Sequence, residues 1–339
     1  FPTRRSSDLK KSIPVNVGGI ENYISTYYMN YREFEKPIQN GRNIAIIGSG
    51  PAGISLAMIM ALKGYNVTMY EGNEKIGGVL RFGIPDFRLD KTILDKIEET
   101  LVKIGVKIRK NIMIGKNITI DDLQRDGFDA IFIGTGVWAP RKLGIKGESL
   151  GNVHFAIDYL KTPKAYDLGK KVVIIGAGNV AMDVARTVIR NGARDVSIMY
   201  RKGEADMPAE KIEIAHAKID GVKFNLHRLP LELTEKGIRY MTTNQEIDRE
   251  SFEEADSILI AISQTARDLI VKNNTGLNVS ETGLLQSDEN GVTSRRGVFA
   301  SGDVVTGART VVEAVAFSKR VAITIEDFIS KLPPKTVAC

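Results

Sequence analysis

The chain has 339 residues, with 47 Lys and Arg against 41 Asp and Glu, a net charge of +6. At roughly 150 residues per domain this length gives about two domains, and 43% apolar with 26% charged residues excludes a disordered, collagen-like or disulfide-scaffolded chain. A single cysteine, Cys339, excludes an internal disulfide, a CxxC pair and a cysteine-ligated zinc or iron–sulfur site in this chain. No apolar run reaches the roughly 18 residues of a membrane span. The mild, spread positive charge suits anionic cofactors and gives no pointer to nucleic acid.

Phe1 to Leu9, FPTRRSSDL, back-translates codon by codon onto a common short-read sequencing adapter, so it is set aside from the fold as an artefact. The native start is expected to be missing. Residues 10–40 are polar with an apolar stripe. Ile20, Tyr23, Ile24, Tyr27, Tyr28 and Tyr31 recur near i, i+3, i+4, i+7, which predicts a short helix. That helix is expected to dock on its own domain; the alternative is a face for a missing domain or a partner.

Asn43 to Gly48 (NIAIIG) is a short β-branched run, read as a buried parallel strand. It leads into Gly48-Ser49-Gly50-Pro51-Ala52-Gly53, a GxGxxG that opens an apolar helix. The strand Asn66 to Tyr70 follows and ends at Glu71, 23 residues after Gly48. Each part has a task. Gly48 permits the tight turn, Gly50 lets the backbone approach a pyrophosphate, and Gly53 allows close helix–strand packing. The helix start offers free N–H groups to phosphates, and Glu71 can accept ribose hydroxyls.

Ala130 to Gly136 (AIFIGTG) is a further strand ending in a tight turn, expected to cross between domains. The dinucleotide pattern then returns. The strand Lys171 to Ile175 meets Gly176-Ala177-Gly178-Asn179-Val180-Ala181, with alanine at the third glycine, a helix, and the strand Asp195 to Tyr200. This second strand ends in Arg201-Lys202 rather than an acid. An acid would repel a 2′-phosphate and arginine pairs with one, so the second site reads as built for NADPH rather than NADH. The last signal, Arg296 to Asp303, is a strand ending in Gly302-Asp303, followed by a helix opening at Thr310-Val311.

The order of these pieces predicts an α/β fold of two Rossmann-like, doubly wound domains. A first, flavin-type domain is built from residues 41–150 and 265–330. A nicotinamide-type domain, 151–264, is inserted into it. Residues 10–40 are a helical remnant.

GSGPAG at 48–53, IGGVLRFGIPDFRL at 76–89, GTGVWAPRKLGIKGE at 134–148, GAGNVAMDVARTVIRNGA at 176–193, YRKGEADMPA at 200–209 and ASGDVVTGARTVVEAVA at 300–316 carry a family resemblance. The chain resembles the flavoprotein reductases with two dinucleotide-binding domains. Among them it is similar to the small (β) subunit of NADPH-dependent glutamate synthase and its relatives, from about Lys10 to Leu332.

The resemblance implies roles. Gly48, Gly50, Pro51, Ala52, Gly53, Glu71, Gly78, Arg88, Gly136, Gly302, Asp303, Thr310 and Val311 would contact FAD. Gly176, Gly178, Asn179, Val180, Arg201 and Lys202 would hold NADPH, with Ala261-Ile262-Ser263 near its nicotinamide. Family members usually have glycine where this chain has Ser263. They also carry an N-terminal domain holding 4Fe-4S clusters, whose cysteines are not in this chain. The implied reaction is hydride transfer from NADPH to the flavin, with no catalytic acid or nucleophile. His154, His216 and His227 are read as structural. The expected partner is the glutamate synthase large subunit or another electron-acceptor protein, in the cytoplasm. Two alternatives stand: the same reductase serving a different acceptor (ferredoxin, sulfur species or a pyrimidine-reducing domain), or a non-catalytic flavin-binding module.

Overall fold

A computed structural model describes residues 15–116, 118–243, 249–266 and 269–334. Phe1 to Leu9, residues 10–14 of the remnant segment and Cys339 lie outside them.

The tyrosine stripe forms a helix, α1 (Val17–Tyr31). Its expected docking is overturned. Ile20, Tyr23, Ile24, Tyr27, Tyr28 and Tyr31 are 47–73% exposed. The rings of Tyr27 and Tyr31 meet each other, with centroids 4.4 Å apart. Periodicity reports which side of a helix is apolar; it does not report what covers that side.

The chain then builds β1 (Asn43–Ile47), α2 (Pro51–Leu62), β2 (Asn66–Tyr70), α3 (Val79–Phe82), α4 (Thr92–Lys103), β3 (Lys107–Arg109), α5 (Ile120–Arg125) and β4 (Ala130–Ile133). After β5 (Ala139–Pro140) come β6 (Val153–Phe155), α6 (Ala156–Lys161), β7 (Lys171–Ile175), α7 (Asn179–Arg190), β8 (Asp195–Met199), α8 (Lys211–Ile219) and β9 (Lys223–Asn225). Three strands, β10 (Arg228–Thr234), β11 (Gly237–Thr242) and β12 (Arg249–Glu254), precede β13 (Ser257–Ile260) and β14 (Gln264–Thr265). The chain closes with α9 (Leu269–Lys272), β15 (Val298–Ala300), α10 (Asp303–Thr306) and α11 (Val311–Ser330).

Two parallel sheets result. The first has the order β15-β4-β1-β2-β3. The second has the order β6-β13-β7-β8-β9. Sheets covered on both faces need strands that are apolar on both faces, which is why β1, β4 and β13 read as continuous runs rather than alternations. In β1, Ile44 and Ile46 pack with Leu56 and Met60 of α2 and Val321 of α11, whereas Ala45 and Ile47 join Leu123 of α5 on the opposite face. In the second sheet Ile174 and Leu259 face Val184 and Val188 of α7. The antiparallel sheet β10-β11-β12 covers the other face through Leu233, Ile238 and Tyr240.

The sequence 130–136 does not itself cross between the sheets, contrary to expectation. Its strand, β4, is a core strand of the first sheet between β15 and β1. The crossings fall at β5 and β14, which pair antiparallel as a two-residue ribbon, Ala139 with Thr265 and Pro140 with Gln264.

Candidate functional site

Each sheet changes direction once. In the first, β2 and β3 lie on one side of β1 and β4 on the other. In the second, β8 and β9 lie on one side of β7 and β13 on the other. Open α/β sheets bind ligands at such switch points, outside the carboxyl ends of the strands.

The same device stands at both. Gly48 follows β1 with φ +98°, and a Cβ there would lie 2.6 Å from the Gly134 carbonyl oxygen beyond β4. Gly176 follows β7 with φ +129°, and a Cβ there would lie 2.3 Å from the Ala261 carbonyl oxygen beyond β13. Both turns exclude a side chain by conformation and by space. The middle glycines differ: a Cβ on Gly50 meets nothing nearer than the Gly78 Cα at 4.0 Å, and a Cβ on Gly178 meets nothing within 4 Å. Open space over an extended backbone is where a pyrophosphate would approach. Gly53 packs behind the turn, where a Cβ would stand 2.0 Å from the Gly48 oxygen.

Helices α2 and α7 start at Gly50 and Gly178 with no side-chain cap, so their first N–H groups are left for another acceptor. The second turn is braced from outside. The Ala209 amide donates to the Ala177 carbonyl at 3.1 Å, and the Glu210 amide to the Asn179 side-chain oxygen at 2.9 Å. By contrast α11 is capped from within. Thr310 Oγ1 accepts from the Glu313 amide at 3.2 Å, and Glu313 Oε2 accepts from the Thr310 amide at 3.0 Å.

A cleft of about 660 Å³ opens between the two units. Gly48, Gly50, Pro51 and Ala52 line it beside Glu71, Gly78 and Arg88. Gly136, Gly302, Asp303, Thr310 and Val311 line it as well, with Gly302 packed beside Ala52. From the second unit Asn179 and Val180 reach the same space. Gly176, Gly178, Ala261, Ile262 and Ser263 flank the second switch point outside the cleft lining. Arg201 and Lys202 are exposed just beyond β8, with no side-chain ion pair to any described residue.

Glu71 is buried and held by four hydrogen bonds. Its Oε2 accepts from the Ser49 hydroxyl and, at 3.1 Å, from the Ser49 amide. Its Oε1 accepts from the Asn73 amide at 2.8 Å and the Asn73 side chain at 2.6 Å. These bonds fill the carboxylate's four lone-pair positions. A ribose diol would therefore replace the Ser49 hydroxyl or the Asn73 side chain. Burial, with the nearby Glu313 charge, pushes the Asp303 carboxyl above the usual carboxylate range, against a hydrogen bond from the Arg309 amide.

Four features escaped sequence reading. Trp138 and Lys161 both line the cleft, with the ammonium 5.0 Å from the indole ring. Asp183, also in the lining, is 4% exposed, and burial raises its pKa in spite of Arg88. Glu213 stands near it on α8. Arg88, expected at FAD, lines the cleft but directs its guanidinium onto these two carboxylates. Ser263, where the resemblance implies glycine, has φ +121°, a conformation that favours glycine. The histidines stay outside the cleft. His154 meets Tyr166 edge-on at 5.1 Å, and burial holds its pKa below the ordinary histidine value. Among the described residues no cluster of three or more His, Cys, Asp or Glu is placed to hold a metal. No described helix is long and apolar enough to cross a membrane.

Two parallel sheets, a glycine turn at each switch point and a cleft beside them give the fold of the flavoproteins with two dinucleotide-binding domains. Residues 42–317 match the pyridine nucleotide-disulphide oxidoreductase family, and the chain belongs to it. With one cysteine it has no redox disulfide of its own. The NADP(+)-dependent formate dehydrogenase subunit beta of Moorella thermoacetica is 39% identical, over 86% of this chain and 44% of that protein. The glutamate synthase [NADPH] small chain of Escherichia coli is 30% identical, over 93% of this chain and 75% of that one. The chain thus spans about half the length of some curated relatives. Among solved structures, T. acidophilum thioredoxin reductase superposes with a TM-score of 0.68 at 21% identity, covering 84% of this chain and 98% of that one.

Proposed function

We propose that this chain holds FAD at the first switch point and NADPH at the second, and that electrons pass from NADPH through the flavin to a partner protein. The observation that carries it is the duplicated device: two switch-point glycine turns, two uncapped twelve-residue helix starts and two open Cβ positions, with the first turn and the starts of both helices lining one cleft. Bound FAD supplies a two-electron acceptor whose electrons can leave singly.

The protein's part is positioning and electrostatics. The Ala52 and Gly53 amides at the start of α2 face a pyrophosphate, and the Asn179 and Val180 amides do so at α7. Glu71, already oriented by Ser49 and Asn73, takes the ribose of the first nucleotide. Asp303 and Gly302 face the flavin's polyol chain. The exposed guanidinium of Arg201 and ammonium of Lys202 take the 2′-phosphate that separates NADPH from NADH.

For the acceptor, the reading is the large subunit of a glutamate synthase. Similarity to small chains of that enzyme over most of their length supports it. The 39% identical formate dehydrogenase subunit favours a second reading, the same module serving a different electron-transfer partner. In either case the exposed apolar face of α1 meets a cluster-bearing domain or that partner. Arg201→Asp tests the NADPH assignment. The ratio of kcat/KM for NADPH to that for NADH is expected to fall at least tenfold, and an unchanged ratio sinks the assignment.

A further inference from the structure

Loop 83–91 of the first unit reaches across to the second. The Arg88 guanidinium donates to both oxygens of Asp183 on α7, at 2.8 and 2.7 Å. Its other nitrogen lies 2.9 Å from Glu213 Oε1 on α8. Glu213 in turn pairs with Arg186 at 3.2 Å, and Arg186 with Asp220 at 2.8 Å, which Arg190 also reaches at 2.5 Å. Phe87 lies under two of these cations, with the Arg190 guanidinium 4.1 Å and that of Arg186 4.8 Å from its ring centre.

The group holds three guanidiniums and three carboxylates, so its charges balance. Only Phe87 and Arg88 come from the first unit. Asp183 is 4% exposed, and a carboxylate so buried needs its partner held in place. A forked guanidinium can hold two carboxylates at once, which an ammonium cannot do with the same geometry.

The covalent crossings are weak by comparison. They form a ribbon of two residue pairs, and an isolated two-stranded ribbon is marginal in water. Something else must set the angle between the units. Asp183 and Arg88 both line the cleft where the two nucleotide sites meet.

We propose that Phe87 and Arg88 form a latch onto Asp183 and Glu213 that fixes the second unit in the orientation required for hydride transfer. Arg88 and Asp183 are then positioning residues. This rests on the two-nucleotide reading above. Hydride transfer tolerates little misplacement, and an error of about 1 Å can cost a hundredfold in rate.

The test uses the full chain carrying FAD. In anaerobic stopped flow, Arg88→Met is expected to lower the limiting rate of flavin reduction by NADPH at least tenfold. The NADPH Kd should stay within about twofold and the flavin content should be unchanged. Arg88→Lys, which keeps one of the two pairings, should fall between. A second readout needs no NADPH. Spin labels on Ile219→Cys and Ile323→Cys, exposed sites on α8 and α11, with Cys339→Ser, report the distance between the units. One narrow distance is expected while Arg88 is in place, and a broadened one in the Arg88→Met chain. An unchanged limiting rate with an unbroadened distance overturns the latch. Loss of FAD from Arg88→Met with an unbroadened distance overturns it too, and assigns Arg88 to the flavin. If the unmutated chain is not reduced by NADPH but the variant's distance broadens, the latch stands and the two-nucleotide reading falls.

Discussion

Gly178→Ala separates a glycine needed by the fold from one needed by a ligand. Gly178 has φ −85° and ψ 177°, extended backbone that alanine adopts freely. A Cβ there meets nothing within 4 Å. The unliganded protein should therefore gain stability, by about 0.4–1 kcal/mol, because alanine restricts the unfolded chain. The ligand sees the reverse. A pyrophosphate has to approach this backbone closely to reach the first amides of α7. A methyl group in that space costs at least one charge-assisted hydrogen bond, about 1.5–3 kcal/mol. At about 1.4 kcal/mol per tenfold, the NADPH Kd should rise roughly 10- to 150-fold. Calorimetric titration gives the Kd, thermal melting gives the stability, and flavin absorbance should be unaffected because Gly178 belongs to the other site. A variant that binds NADPH within twofold of the original would refute the assignment of this turn to the pyrophosphate.

Two further predictions concern stability. Ser263→Gly should relieve a backbone cost of about 1–3 kcal/mol, less about 0.4–1 kcal/mol for the freer unfolded chain. The melting midpoint should rise by a few degrees, and a lower midpoint would show that Ser263 is not strained. His154 contributes a pH dependence. Burial lowers its folded pKa, so the unfolded chain takes up the proton first as pH falls below the unfolded value of 6.5. Stability that is fully present above that pH is lost progressively below it. His154→Gln should flatten that loss in melting curves between about pH 7.5 and pH 5, and an equal decline in the variant would show that His154 does not cause it.

The features legible in the sequence are those written locally. Gly48 and Gly176 announce themselves because each sits between a β-branched run and an apolar helix, and the strand order then turns the pair into two switch points. Glu71 was legible as an acid at a strand end, but its saturation by Ser49 and Asn73 was not, since hydrogen-bond occupancy depends on the folded turn. Asp183 and Glu213 were hidden for a different reason. Each reads as an ordinary helix residue, and their shared partner Arg88 is 95 residues from Asp183. Only the docking of the two units brings them together. The face of α1 was legible as apolar, but its lack of cover was not. Ser263 lies between these cases: its departure from glycine was visible in the sequence, and the positive φ gives that departure a physical cost.

In the proposed reaction two dinucleotides meet in one cleft and exchange a hydride there. Its most direct test is an anaerobic titration of the purified protein with NADPH and then NADH, followed by flavin absorbance. The expected result is a yellow protein that NADPH bleaches at far lower concentration than NADH. A yellow protein that neither nucleotide bleaches would contradict it.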